Sequence, residues 1–301
     1  MIPLRMATPS PRLPEWARKG DPLSPRAHGL RLLLREQRLN TVCEEARCPN
    51  LSECFSRGTA TFMLLGDRCT RRCGYCSVQT ARPLAADPEE PRRVAEAAAR
   101  MRLRYVVLTS VARDDMADGG AAQFAATVAE VRQALPGARV EVLTPDFKGD
   151  RRALAAVLAS GPDVFNHNIE TVPRLFPEVR AQGSYARSLE LLAAAREARP
   201  GQVTKSGLIV GLGETDAEIV DVLRDLRRAG VGIVTLGQYL RPTREHLPVH
   251  RYVPPEGFAA LAAEARALGF PTVYAGVFVR SSFNAEEVFH AGGDLREALG
   301  H

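Results

Sequence analysis

Six cysteines stand out in this sequence, and all of them lie between Cys43 and Cys76. They fall into two triplets. The second, Cys69-Thr70-Arg71-Arg72-Cys73-Gly74-Tyr75-Cys76, has the spacing C-x3-C-x2-C. Three thiolates in so short a stretch can each take one iron of a [4Fe–4S] cluster, because soft sulfur donors suit iron–sulfur assemblies. The fourth iron is then left without a protein ligand. S-adenosylmethionine can chelate it through its amino and carboxylate groups, and electrons from the cluster can cleave the sulfonium to a 5′-deoxyadenosyl radical. Chemistry of that kind belongs to the cofactor, while the chain supplies position and shielding. A structural zinc site would need paired C-x2-C units, and only Cys73 and Cys76 form one.

The first triplet, Cys43, Cys48 and Cys54, has the spacing C-x4-C-x5-C. It again offers three sulfurs, so a second cluster would lack one ligand. Buried free thiols, or ligands shared with the other cluster, are the structural alternatives. No cysteine follows Cys76, so a missing ligand would have to be another residue type, far away in sequence. A disulfide framework would need an oxidising compartment. The first twenty residues hold no apolar stretch of signal-peptide length, and Pro3, Pro9, Pro11 and Pro14 do not suit an amphipathic transit helix. The reading is a cytoplasmic protein with reduced thiols.

The elements that position these residues follow from periodicity. Residues 1–40 are rich in Pro and Arg, with one helix near Gly29–Arg38. From Thr59 onward β-branched runs alternate with Ala-rich helical stretches. Strands are predicted at Thr61–Gly66, Tyr105–Ser110, Arg139–Thr144, Asp163–Asn168, Val203–Val210 and Gly232–Gly237. Helices are predicted at Glu89–Met101, Ala121–Leu135, Arg151–Ala159, Ser184–Arg199, Asp216–Ala229 and Pro255–Leu268. Thr215 with Glu218 makes a capping box, Gly230 a C-cap, and Pro200-Gly201 a stop. The alternation implies an α/β fold with a parallel sheet, open or closed into a partial barrel. Chemistry in such folds sits at the carboxyl ends of the strands. Thr109 to Asp115, Thr144 to Asp146, Asn166 to Glu170 and Gly237 to Tyr239 all fall there.

Composition excludes several classes. At 301 residues, 45% hydrophobic and 25% charged, the chain is of ordinary globular composition, with no apolar run of the roughly 20 residues that a membrane span needs. The net charge of +5 rests almost wholly on arginine, since Lys19, Lys148 and Lys205 are the only lysines. A zinc-dependent nucleic-acid-binding module would show a basic patch with interleaved aromatics. Aromatics are only 6% here and the basic residues are dispersed, so neither nucleic acid nor membrane is an expected partner.

Strand five agrees with the second triplet. Gly207-Leu208-Ile209-Val210-Gly211-Leu212-Gly213-Glu214 reads G-x-I-x-G-x-x-E, a pattern of the fifth strand of radical-SAM barrels, whose glycines would let the backbone approach the adenine-bearing half of the cofactor. Taken together, C-x4-C-x5-C followed by C-x3-C-x2-C resembles the combined signature of the lipoyl synthases. The likeness extends to Thr41-Val42-Cys43-Glu44-Glu45-Ala46, Thr109-Ser110-Val111 with Arg113-Asp114-Asp115, and Val142 to Phe147. Phe165-Asn166-His167-Asn168, Gly237-Gln238-Tyr239-Leu240 and Glu245-His246-Leu247-Pro248-Val249 match as well. It runs from about Pro14 to about Ala285.

The resemblance implies a partial (β/α)6 barrel of the TIM type over residues 59–270. An N-terminal extension, 1–58, carries the auxiliary-cluster cysteines and a C-terminal tail, 271–301, carries a serine ligand. The family's tail motif is Arg-Ser-Ser-Tyr; here Arg280-Ser281-Ser282-Phe283 stands in that place, which puts the ligand at Ser282, with Phe283 departing from the tyrosine. Two [4Fe–4S] clusters and S-adenosylmethionine are the implied cofactors. The implied reaction inserts two sulfurs at C6 and C8 of an octanoyl group on a lysine of a carrier, with the auxiliary cluster as sacrificial donor. The carrier would be a glycine cleavage H protein or the lipoyl domain of a 2-oxoacid dehydrogenase E2 subunit. An electron donor and an iron–sulfur carrier would serve the clusters. Gly207, Ile209, Gly211, Glu214, Asn166 and Asn168 are the candidate contacts of S-adenosylmethionine. Arg241 and His246 are candidates for the route to the carrier. Lys205 is read as a cofactor-side or structural residue, and His28, His250 and His290 as surface or core residues. Biotin synthase-like and methylthiotransferase-like enzymes are the nearest alternatives, and the first triplet and the serine tail argue against both.

Overall fold

The computed structural model describes residues 10–19 and 24–291; Pro3 and Pro9 lie outside them. The strands are β1 (Asn40–Thr41), β2 (Thr61–Leu64), β3 (Arg68–Cys69), β4 (Gln79–Thr80), β5 (Tyr105–Ser110), β6 (Arg139–Leu143), β7 (Val164–Asn166), β8 (Val203–Val210), β9 (Ile233–Gln238) and β10 (Thr272–Gly276). The helices are α1 (Pro25–Glu36), α2 (Val42–Glu45), α3 (Leu51–Ser56), α4 (Glu90–Arg100), α5 (Ala121–Ala134), α6 (Arg151–Ala159), α7 (Phe176–Val179), α8 (Tyr185–Ala198), α9 (Asp216–Arg228), α10 (Pro255–Ala267) and α11 (Ala285–Ala291).

One sheet dominates, in the order β1-β2-β5-β6-β7-β8-β9-β10. Every pairing in it is parallel except β1 with β2. The ladder is open, with β1 and β10 at its two ends. Alternation along the strands shows how it curves. Tyr105, Val107 and Thr109 of β5, Gly207 and Ile209 of β8, and Thr235 and Gly237 of β9 all face one interior cavity. Their neighbours Val106, Leu108, Val234 and Leu236 are buried in the layer beneath the helices. A sheet whose inner face encloses a space and whose outer face is covered by helices is a partial barrel. That cover also explains why the strands read as continuous apolar runs.

The six predicted strands are six of the seven parallel strands that the large sheet has among the described residues. The seventh, β10, comes from the C-terminal extension and pairs with β9; short and flanked by turns, it gives no clear period of its own. Local caps set the helix starts. Thr215 and Glu218 form the expected capping box of α9, and Ser184 caps α8. Helix α1 starts earlier than its predicted Gly29, because Ser24 Oγ accepts from Ala27 N and Pro25 occupies the first turn. Strand β7 stops at Asn166, short of the predicted Asn168. The chain turns there, with His167 Nδ1 bonded to the Thr144 carbonyl and Nε2 to Ser188 Oγ.

Candidate active site

The interior cavity, about 550 Å³, is lined by all six cysteines. None of them is in a disulfide. The first triplet is built by two short helices. Thr41 Oγ1 accepts from Glu44 N to start α2, which carries Cys43. Cys48 N closes back on the Cys43 carbonyl at 3.1 Å through Arg47, held at φ 49°. Cys54 follows within α3.

The second triplet begins at the end of β3. Arg71 N and Ala112 N both donate to Cys69 Sγ, at 3.4 and 3.3 Å, which fixes where that sulfur sits. Arg71 itself is buried. Its guanidinium grips both Asp114 oxygens at 2.7 and 2.8 Å and Asp146 at 2.5 Å, which bolts the loop to the ends of β5 and β6. Burial would raise Asp146, but the ion pair with Arg71 outweighs it and holds the carboxyl well below the usual range. Gly74 has no room for a side chain, because a Cβ would lie 2.7 Å from Leu247 Cδ1 and 3.0 Å from the Glu178 carbonyl. Ser77 Oγ donates to the Glu45 carbonyl at 2.7 Å and so joins the two cysteine loops.

The thiols respond to burial and to one another. Burial first, then the neighbouring Cys48, pushes Cys54 up to about 11, and Cys43 is raised further by the same causes. Burial pushes Cys73 up to about 11 and Cys76 to about 12, the latter with help from Cys73 and Cys69. Deprotonation of Cys43, Cys54, Cys73 and Cys76 is thus opposed until a positive group relieves it. Among the described residues no three His, Cys, Asp or Glu side chains converge to chelate a single ion. A cubane cluster takes one thiolate per iron, so its ligands stand apart, and the donor chemistry fits it better than a tetrahedral ion.

Polar atoms without partners point into the same space. Asn168 Oδ1, Ser110 Oγ and Thr144 Oγ1 are buried, line the cavity and find no hydrogen-bond partner among the described residues. Buried polar atoms are normally satisfied, so these await a polar ligand. Beside them Glu170 sits at φ 68°. Burial raises its carboxyl, and Tyr75 and Asn168 bond to it. The tail lines the same cavity. Ser281 Oγ accepts from Asn168 Nδ2 at 3.2 Å, Ser282 borders the cavity, and Phe283 stacks on Tyr274 with centroids 6.4 Å apart.

A radical SAM superfamily model matches residues 63–226 of the chain. The lipoyl synthase of Thermus thermophilus is 54% identical over 291 residues, which cover 95% of this chain and 90% of that protein. The lipoyl synthase of Nitratidesulfovibrio vulgaris strain Hildenborough is 52% identical over 290 residues, 96% of this chain and 97% of that protein. The chain belongs to the lipoyl synthase family. It is therefore a radical SAM sulfur-inserting enzyme, and S-adenosylmethionine and [4Fe–4S] clusters are its cofactors. The partial barrel recurs in solved structures. HydG, a maturase of the FeFe-hydrogenase, aligns with a TM-score of 0.58 at 16% identity over 78% of this chain and 54% of that one. Methylornithine synthase aligns with 0.51 at 16% identity over 85% and 83%.

Within this lipoyl synthase the expected cofactor contacts divide. Gly207, Ile209 and Asn168 line the cavity. A Cβ on Gly207 would come within 2.7 Å of Thr235 Oγ1 and 3.0 Å of Asn168 Oδ1, so the glycine keeps that amide in place. Asn166, Gly211 and Glu214 do not line the cavity. Asn166 is fully buried and donates to Glu141 Oε1 at 2.8 Å. Glu214 accepts from Gly211 N at 2.6 Å and Leu212 N at 2.9 Å, which closes the loop after β8, with Gly211 at φ 110°. The glutamate's charge is thereby satisfied inside its own loop.

Lys205 is structural: buried, it bonds both Glu141 oxygens at 3.0 Å, and Tyr105 OH donates to Glu141 at 2.8 Å. Arg241 lines the cavity and donates to the His246 carbonyl at 2.9 Å, while His246 Nε2 lies 3.0 Å from the Cys76 carbonyl. That loop braces the second triplet from outside. His28, His250 and His290 are all exposed. Glu170, one of the strand-end residues, and Arg280, beside the tail serines, both line the cavity, although neither was among the candidate cofactor contacts. An acidic residue just past the end of strand four was the available signal for Glu170.

Proposed function

We propose that the chain inserts sulfur at C6 and C8 of an octanoyl group carried on a lysine of a partner domain, with Cys69, Cys73 and Cys76 holding the radical-generating cluster. Cys43, Cys48, Cys54 and Ser282 hold the auxiliary one. The observation that carries this reading is that both triplets and the tail serine border a single cavity. When bound, the clusters and S-adenosylmethionine supply the carbon radical and the sulfur. Neither carbon of the substrate bears an acidic proton, so a general base has nothing to remove. The chain's own contribution is placement and exclusion of water. Met63, Val107, Leu143 and Leu208 give the cavity apolar walls suited to an alkyl chain.

Asn168 and Glu170 offer acceptors for hydroxyl or ammonium groups of S-adenosylmethionine, with Gly207 and Ile209 beneath them. Ser282 brings an oxygen donor, harder than thiolate and more readily protonated and released from iron. Residues 59–270 then act as the barrel, and residues 1–58 and 271–301 as the two arms that supply the auxiliary ligands. The substrate partner would be the lipoyl domain of an E2 subunit or a glycine cleavage H protein, in the cytoplasm, with a separate electron donor and an iron–sulfur carrier. No helix among the described residues is long and apolar enough to cross a membrane.

The test is mass spectrometry of an octanoyl-lysyl peptide after anaerobic incubation with reductant and S-adenosylmethionine. A product carrying two added sulfurs supports the reading. An unmodified or merely hydroxylated peptide, from a sample loaded at both triplets, overturns it.

A further inference from the structure

The segment that carries Ser282 is fastened to the first triplet by a residue that belongs to neither motif. Lys19 follows the short 3-10 turn Glu15–Ala17 in the N-terminal stretch. Its ammonium donates to Asn50 Oδ1 at 2.8 Å and to Glu53 Oε2. Asn50 lies between Cys48 and Cys54, and Glu53 precedes Cys54. The same ammonium stands 5.0 Å from the centroid of the Phe278 ring and 5.2 Å from that of Phe283, the residue after Ser282. Its side chain is only 17% exposed. Asn50 completes the link by donating from Nδ2 to the Phe278 carbonyl at 2.7 Å.

One cation therefore touches the helix that bears Cys54 and both rings that bracket the serine. A cation held over ring faces gains in strength as it is desolvated. An oxygen ligand at the end of a free tail would have to be ordered each time it binds, and a clamp that orders it beforehand removes that cost. The phenylalanine at the family's tyrosine position also finds a use, since the cage needs only a ring face.

We propose that Lys19 is a positioning residue that holds Ser282 within reach of the first triplet, so that the N-terminal stretch governs how firmly the oxygen ligand is kept. The proposal rests on the assignment of Ser282 as that ligand.

The test uses the full-length chain with Cys69→Ala, Cys73→Ala and Cys76→Ala, so that only the first triplet can hold a cluster, reconstituted anaerobically and treated with ferricyanide. Conversion of [4Fe–4S]2+ to [3Fe–4S]+ releases one Fe2+ and one electron, which ferricyanide accepts. Electron paramagnetic resonance then counts the three-iron product. Lys19→Met keeps a long stem and removes the charge; it is expected to raise the ratio of three-iron to four-iron cluster about tenfold. Phe283→Leu acts in the same direction, whereas Lys19→Arg and Phe283→Tyr keep the parent ratio. Ser282→Ala sets the upper limit.

In a chain that lacks the first triplet instead, Lys19→Met leaves the iron content of the second triplet unchanged. If Ser282→Ala raises the ratio and Lys19→Met does not, the Lys19 proposal is overturned and the ligand assignment stands. If Ser282→Ala behaves as the parent, the ligand assignment itself falls. Loss of iron from both triplets in Lys19→Met would mean general disruption, and that too overturns a positioning role.

Discussion

Replacing Gly237 with alanine should uncouple the serine tail from an otherwise intact barrel. Gly237 sits near the end of β9, where the tail crosses it after the turn that Val279 N closes onto the Gly276 carbonyl at 3.1 Å. A Cβ there would overlap the Val279 carbonyl oxygen and stand 3.0 Å from its carbon and 3.2 Å from Arg280 Nη1. Relieving the overlap with the Val279 carbonyl oxygen, which needs about 3.3 Å from a carbon, obliges the tail backbone to retreat by more than about 1 Å. Overpacking of this kind costs about 1–3 kcal/mol of stability.

The larger effect falls on chemistry, because Ser282 lies three residues beyond Val279 and moves with it. A displacement near 1 Å in a reacting constellation costs on the order of 10²-fold in rate. The assay is turnover of an octanoyl-lysyl peptide, alongside thermal unfolding and the iron retained by the second triplet in a chain that lacks the first. The expected result is turnover reduced by about 10–100-fold with a fold and a second-triplet cluster that persist. Parent-level turnover in Gly237→Ala would refute the argument that the tail must lie against β9.

Four further outcomes follow from particular contacts. Ser282→Cys should retain iron at the first triplet yet lose turnover, since a thiolate is a softer and less easily released ligand than an oxygen; iron analysis with peptide mass spectrometry checks both halves. Asp146→Asn leaves the buried Arg71 guanidinium with Asp114 alone, and removing one partner of a buried pair costs about 3–5 kcal/mol, to be read from urea unfolding and from slower cluster loading at the second triplet. Lys205→Met strands the Glu141 carboxylate in the barrel floor and should lower stability by a similar ~3–5 kcal/mol, while Lys205→Met with Glu141→Gln recovers part of it.

His167 gives a pH dependence whose sign is fixed by burial. Desolvation first, and then Arg180, lowers it from 6.5 to about 3. Below the unfolded value the unfolded chain takes up a proton that the fold refuses, so this contribution is intact above about pH 6.5 and is lost at up to about 1.4 kcal/mol per unit as pH falls. His167→Gln should flatten that slope in urea midpoints measured between about pH 7 and pH 5, and an unchanged slope would contradict it.

Much of the site was legible because the cysteines signal through spacing alone. Cys69, Cys73 and Cys76 lie in one loop, and a short loop cannot send them apart. The same holds for Cys43, Cys48 and Cys54 along two turns of chain. Strand and helix order was equally readable, since β-branched runs buried on both faces and a capping box such as Thr215 with Glu218 are local features. What a sequence does not state is partner choice. Nothing in Gly207 to Glu214 states that the glutamate turns back onto Gly211 N and Leu212 N rather than toward a ligand. Asn166 faces Glu141 rather than the cavity because a buried Lys205–Glu141 pair, 64 residues apart in sequence, recruits its amide. Lys19 is the extreme case, since its partners Asn50, Glu53, Phe278 and Phe283 span most of the chain. Pairings of this range are set by topology, and topology is what a single sequence carries least directly.

The central claim is that two cluster sites share one cavity, each built on its own triplet. Anaerobic reconstitution followed by iron and sulfide analysis tests it most directly. The account predicts about eight irons per chain, falling to about four when either triplet alone is changed to alanine. A parent chain that saturates at about four irons, or one that loses all its iron when either triplet is removed, would contradict it.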